Sequence, residues 1–262
     1  MNKGLIDRVD TERIHYDKEF EKIKLEDGDM FVDDQWLVDY HRYHAFALRE
    51  LGDIKGKKVL NIGAGGLGGG KNTSWLAKQG AFVSGIDITE VGLSIAKQIA
   101  NFNVVTVDLR LESAENMSFP SEYFDLILSY GVIHHLNIET AIRELFRHLK
   151  KGGKLIVVEP WNGNPFFRFA RNHLWYPQKN RTKFERALNK EDLKVFLRYF
   201  AEHKIVFFEL VASFTRVFRL IPIKFIREII INTCNKIDDF ILKAFPFMKN
   251  YCRNFVGIFK KI

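Results

Sequence analysis

Behind one short apolar run the chain places six glycines in the eight positions 63–70, within the stretch "VLNIGAGGLGGGKNTSWLAKQGAFVSGID". A strand that runs into glycines and then into a helix brings free backbone N–H groups and the positive end of a helix dipole to one point. Such a point suits an anion or a polar cofactor tail. The arrangement is also one unit of a longer pattern. Strand-length apolar runs at 58–62, 81–86, 104–107, 124–128 and 155–158 alternate with helical stretches at 73–79, 90–100 and 139–149. Alternation of this kind requires helical crossovers between parallel strands, so a doubly wound, mainly parallel α/β sheet is expected. "KKGG" at 150–153 reads as a helix stop, with lysine in the last turn and glycine at the C-cap. Beyond Pro160 the pattern loosens: 161–183 reads as a long loop, 190–200 as a helix and 205–210 as a strand.

A chain of 262 residues, 47% of them hydrophobic, can bury the core of one large α/β domain or two small ones. Its first 30 residues are charged throughout and lack an apolar signal core, so a cytoplasmic location is expected. Cys234 and Cys252 are too few for a disulfide framework and lack zinc spacing, and both are expected to be buried free thiols. The net charge of +8 is uneven. Residues 212–262 alone carry ten Lys/Arg against three Asp/Glu, and 16 of the 24 phenylalanines follow Pro160. The chain therefore divides into a regular α/β part and a basic, aromatic part.

Asp87 ends the second strand in "VSGID". There it faces whatever the glycine loop holds, and a carboxylate can accept both hydroxyls of a ribose. A nicotinamide dinucleotide and S-adenosylmethionine both fit that geometry. The segments "VLNIGAGG", "GIDIT", "SAENMSFPSEYFDLILSYGVIHHL" and "LKKGGKLIVVEP", in this order and at these spacings, resemble the class I S-adenosylmethionine-dependent methyltransferases, in particular the ubiquinone-biosynthesis-like branch. The resemblance covers residues 58–160 and favours S-adenosylmethionine over the dinucleotide.

What the resemblance implies is a Rossmann-like seven-stranded mainly parallel sheet with helices on both faces. It also implies a set of cofactor contacts. Gly63, Ala64 and Gly65 would let backbone approach the methionine part, and Asp87 would take the ribose hydroxyls. Ile88, Ser113 and Ala114 would meet the adenine, while Ser129 and Tyr130 would lie beneath the methionine chain. Asn61 stands where the family often has an acid, and would offer its carbonyl to the cofactor's ammonium without charge assistance. Ser113 likewise replaces a commoner aspartate. The interval from Gly63 to Asp87 exceeds the family's usual spacing, and the excess in "GLGGGKN" would form either a flap over the methionine end or a longer route into the helix.

Methyl transfer from a sulfonium is an in-line displacement that depends on alignment in a dry site, and an oxygen nucleophile must also lose its proton. His134 and His135 follow the fourth strand, and Glu159 ends the fifth. The expected roles are His134 as general base, Glu159 as its orienter, and His135 as a further catalytic candidate. His41 and His44 share a helix face but lack a third ligand, so no metal is expected. Trp36, Tyr40, Tyr43, Ala47 and Leu51 recur at helical spacing, and the aromatics among them cap the cofactor pocket or pack beside it.

From 223 to 248 apolar residues recur at helical spacing among lysines and arginines, without reaching the length of a membrane span. Residues 216–249 accordingly read either as a peripheral element at the inner face of a membrane or as a helical subdomain acting as a lid or homodimer face. No RNA-binding module is recognisable. The expected divisions are an N-terminal helical cap (1–52), the cofactor-binding core (53–211), a basic helical insertion (212–253) and a final strand (254–262). The expected function is O-methylation of a saccharide, lipid-linked or hydrophobic small-molecule acceptor. Two alternatives stay open: a nucleic-acid methyltransferase, and a non-catalytic, membrane-associated assembly protein that binds the cofactor.

Overall fold

The structure is a computed structural model and describes residues 3–33, 42–173, 182, 184–213 and 223–262. Its strands are β1 (Lys58–Ile62), β2 (Phe82–Asp87), β3 (Asp108–Leu111), β4 (Phe124–Tyr130), β5 (Leu149–Pro160), β6 (Glu202–Phe208) and β7 (Asn254–Lys260). Its helices are α1 (Lys3–Phe20), α2 (Asp27–Met30), α3 (Arg42–Leu51), α4 (Gly66–Lys78), α5 (Glu90–Phe102), α6 (Ile138–His148), α7 (Pro165–His173), α8 (Lys190–Tyr199) and α9 (Lys224–Ala244). The strands form one sheet in the order β3-β2-β1-β4-β5-β7-β6. Every pairing from β3 through β5 is parallel, and β7 runs against both of its neighbours. It follows that β1, β2, β4, β5 and β6 all end at the same edge of the sheet. In open sheets of this kind ligands bind outside that edge.

Alternate side chains of a strand enter opposite layers, and here both layers are apolar. Leu60, Ile127, Leu155 and Val157 pack against Ile142 and Leu145 of α6 and Phe196 of α8. Val59, Leu126, Leu128 and Ile156 pack on the other side against Leu48 and Leu51 of α3, Leu76 of α4 and Ile99 of α5. Local signals set the helix starts. Asn137 caps α6 by accepting from the Thr140 N–H, and Asn189 and Asp192 form a reciprocal capping box at α8. The basic insertion consists of α9 and a 3-10 turn, Pro246–Tyr251, lying between β6 and β7.

The chain departs from the sequence pattern in four places. Val104 has φ 55° and is 91% exposed, because it closes the turn after α5, so β3 begins only at Asp108. Helix α6 ends at His148 and "KKGG" lies inside β5. Gly152 there has φ 75°, and the β4–β5 register shifts between Phe124 and Leu126, so these glycines serve an irregularity in the strand rather than a helix cap. Helix α7 forms within the stretch read as a loop. Cys252 is buried as expected, but Cys234 is only partly so.

The glycine run is also resolved. Helix α4 starts at Gly66, so Gly68, Gly69 and Gly70 belong to its first turns and form no flap. A Cβ on Gly69 would lie 2.1 Å from the Gly63 carbonyl oxygen, and one on Gly70 would lie 2.8 Å from Ile99 Cδ1 and 2.9 Å from Ala96 Cα. These glycines let α4 sit directly on the β1 turn and on α5. Gly69→Ala is accordingly expected to destabilise the protein by about 2 kcal/mol in chemical denaturation, overpacking outweighing the gain in helix propensity.

Candidate active site

A cavity of about 290 Å³ opens at the carboxyl ends of β1, β2 and β4. Of the residues expected from sequence, Gly63, Gly65, Asp87 and Ile88 line it on the β1–β2 side. Ser113, Ala114, Tyr130 and His135 line it as well. Asp87 is held in place by three donors: Gly65 N–H to Oδ2 at 2.8 Å, and Thr89 N–H and Oγ1–H to Oδ1 at 3.0 and 2.6 Å. Burial raises its pKa, against the opposing effect of those bonds. Asp87 remains part of the cavity wall. A Cβ on Gly65 would lie 2.7 Å from Asp87 Cγ, so only glycine allows this approach of backbone to carboxylate.

Asn61, Ala64 and Ser129 lie behind the cavity wall and are fully buried or nearly so. The Ala64 N–H bonds the Ile86 carbonyl. The Asn61 amide donates to Gly69 O at 3.2 Å and to Thr73 Oγ1 at 2.8 Å, tying β1 to the first turns of α4. A carboxylate could make neither bond as a donor, which explains why asparagine stands in place of the family's acid. Asn61 Oδ1 and Ser129 Oγ have no partner among the described residues.

The expected role of His134 is overturned. Its ring faces Glu159 rather than the cavity, with Nδ1 2.7 Å from Glu159 Oε2 and Nε2 3.8 Å from Glu185 Oε1. Burial alone would lower its pKa, but the two carboxylates push it up to about 9. With Nδ1 bonded to Glu159 and the ring absent from the cavity wall, His134 is not placed to take an acceptor's proton. Glu159 is 1% exposed and also accepts from the Val132 and Ile133 N–H groups at 3.1 and 2.8 Å. It orients a turn, Ile133–His135, instead of a base.

His135 turns into the cavity. Its Nδ1 is 3.1 Å from Glu12 Oε2 and its Nε2 is 3.2 Å from the Tyr16 hydroxyl. Burial opposes ionisation of Glu12, but hydrogen bonds from His135 and Thr182 win and lower its pKa. Glu12 is therefore an acceptor only, which puts a proton on Nδ1; in the neutral ring Nε2 is then the acceptor. Arg8 completes the contact, donating to the His135 carbonyl and pairing with Glu115.

Sequence reasoning missed these α1 residues, although a signal was present. Arg8, Glu12, Tyr16 and Phe20 recur every four residues, which sets them on one helix face. All four line the cavity. Phe20 docks where a Cβ on Gly66 or Gly92 would lie 2.5 or 2.6 Å from its ring. Tyr43 stacks on Tyr130, whereas Trp36, Tyr40 and His41 lie outside the described residues. His44 is buried and bonded to Asn72 Oδ1 at 2.8 Å, with its pKa pushed down to about 4 by burial despite that bond. It is neutral and packs edge-on to Tyr130.

The strand order and the glycine turn and acid at the sheet's carboxyl edge are those of the Rossmann-like arrangement expected from the sequence. Residues 61–157 match the family model described as a methyltransferase domain. The chain is 30% identical over 146 residues to a ubiquinone biosynthesis O-methyltransferase of Bartonella tribocorum, covering 53% of this chain and 58% of that one. It is 36% identical over 126 residues to a demethylmenaquinone methyltransferase of Tropheryma whipplei, covering 47% and 50%. The chain thus spans about half the length of the curated relatives it matches. Among solved structures, geranyl diphosphate C-methyltransferase from Streptomyces coelicolor superposes with a TM-score of 0.58 at 15% identity, over 83% of this chain and 79% of that one. Residues 61–157 thus form a methyltransferase domain, and the chain is similar there to ubiquinone and menaquinone methyltransferases.

The state of His134 has a measurable consequence. Its folded pKa of about 9 exceeds the ordinary 6.5, so its contribution to stability is complete below about 6.5 and lost as pH rises through about 9. Thermal melts should show Tm falling across that interval, and His134→Gln should flatten the fall. A Tm independent of pH there would contradict the assignment.

Proposed function

We propose that the protein transfers a methyl group from S-adenosylmethionine to an oxygen of a small hydrophobic acceptor. The observation that carries this reading is that one cavity is lined both by Gly63, Gly65 and Asp87 and by His135, whose ring is held by Glu12 and Tyr16. The bound cofactor supplies an electrophilic methyl on a sulfonium. Asp87 binds its ribose, Gly63 and Gly65 admit its amino-acid end, and the apolar Ile88 and Ala114 take its adenine. His135 removes the acceptor's O–H proton at Nε2 while Glu12, on Nδ1, fixes the tautomer and stabilises the charge that forms. Tyr16 occupies Nε2 until the acceptor hydroxyl replaces it. Glu159 and His134 act through the turn that carries His135, as positioning residues. Helix α1 excludes water from the cavity, where alignment supplies most of the acceleration.

Of the acceptors expected from sequence, the hydrophobic class is favoured over a saccharide by the relatives' names, which concern ubiquinone and menaquinone. The same class favours a cytoplasmic enzyme meeting its acceptor at the inner face of a membrane through 216–249. Calorimetry tests the cofactor half. Wild type should bind S-adenosylmethionine, and Asp87→Ala should bind at least about tenfold more weakly through loss of charged hydrogen bonds. No binding by wild type would overturn the reading. Against hydroxylated aromatic acceptors, His135→Ala should lower kcat about a hundredfold or more, with cofactor affinity retained. Glu12→Gln should lower kcat by a smaller factor. Unchanged kcat in His135→Ala would remove the base.

A further inference from the structure

Most long helices bury their apolar stripe, but α9 exposes one. Ile226, Ile229, Ile237 and Phe240 recur at spacings of three, eight and three along its outer side, and each is more than 40% exposed. Phe225, Phe245 and Phe247 extend the surface at 71%, 51% and 69% exposure. Phe166 and Phe169 of α7 are also exposed. The start of α7 is tied to the 3-10 turn after α9 by Asn164 to Tyr251 O and Asn250 to Gly163 O, at 3.0 and 3.2 Å. An exposed apolar surface of this kind on a protein marks an interaction site.

The charges around the stripe say what covers it. Lys236 and Lys243 flank it on α9, and Lys249 follows in the 3-10 turn; all three are exposed. The helix's acids are turned elsewhere. Asp238 is 3% exposed and accepts from the N–H groups of Leu210, Val211 and Ala212 at 3.0, 2.7 and 3.3 Å. Asp239 is paired with Arg42 at 2.7 and 2.8 Å, and Glu228 falls two residues from Ile226, toward the far side of the helix. Those bonds fix the rotation of α9 so that its apolar and cationic sides face outward. A second copy on this face would set like lysines against each other, whereas anionic headgroups complement them. Among the described residues no helix is long and apolar enough to cross a membrane. An element with this pattern lies in the interface plane.

We propose that the outer face of α9, with the 3-10 turn after it and α7, docks on an anionic lipid surface. These elements follow β6 and β5 and precede β7, so they stand at the same sheet edge as the cavity. Docking there brings the cavity mouth to the bilayer. The inference deepens the proposed function, resting on it for the lipophilic acceptor that the bilayer would supply.

Vesicle flotation of the full chain tests it. Wild type should float with phosphatidylcholine vesicles containing phosphatidylglycerol, float poorly with phosphatidylcholine alone, and be released by high salt. Ile229→Ser/Phe240→Ser should abolish flotation, and Lys236→Glu/Lys243→Glu should weaken it at least about tenfold. Cofactor binding measured on the same preparations should be unchanged in both variants, which shows that they fold and separates this test from that of methyl transfer. Absence of wild-type flotation, or equal flotation of the charge-reversed variant, would overturn the proposal. So would a wild-type dimer that ignores vesicles and becomes monomeric in Ile229→Ser/Phe240→Ser, since the face would then join two copies.

Discussion

The carboxylate of Glu159 is the contact on which the site depends. It is buried at the end of β5, where an unpaired charge would be costly, and it is satisfied by two backbone N–H groups after β4 and by the ring of His134. Those bonds fix the turn Ile133–His135. Fixing the turn aims the next ring, His135, into the cavity, and His135 in turn gives Glu12 and Tyr16 of α1 something to hold. The two adjacent histidines therefore sit in different surroundings. One ring is buried against Glu159, and the other lines the cavity between Glu12 and Tyr16.

A second dependence links the glycine run to Asn61. Early in α4 the Gly69 carbonyl accepts from the Thr73 hydroxyl at 2.8 Å and from the Asn61 amide at 3.2 Å. An acid at position 61 would set its oxygen against that carbonyl. The extended glycine run and the missing acid are two sides of one packing solution. The exchange leaves Asn61 Oδ1 a neutral acceptor without a partner among the described residues.

Much of this was legible in the sequence because it follows from periodicity. Strand runs, crossover helices and the placement of Gly63, Gly65 and Asp87 come from local patterns that the sheet enforces. The errors have physical causes. Val104 looks like strand by composition but closes a helix, and the glycines of "KKGG" serve an irregular strand because Phe124 and Leu126 shift register there. The roles of the two histidines were not legible, since sequence adjacency says nothing about which ring meets a carboxylate. Glu185 and Glu12, which separate their roles, lie 51 and 123 residues from His134 and His135. The α1 face was written plainly, as four residues spaced by four. It passed unread because a charged amphipathic helix looks the same whether it meets solvent or a polar cavity.

The central claim is that α1 is part of the active site and not an appendage to it. Hydrogen exchange of the full chain with and without the cofactor analogue sinefungin tests it most directly. The account predicts slower exchange on binding in residues 8–20 together with 63–70 and 112–115, since all three segments contribute to the one cavity wall. Protection of 63–70 and 112–115 with residues 8–20 unchanged would contradict it, leaving a cofactor pocket that α1 does not help to form.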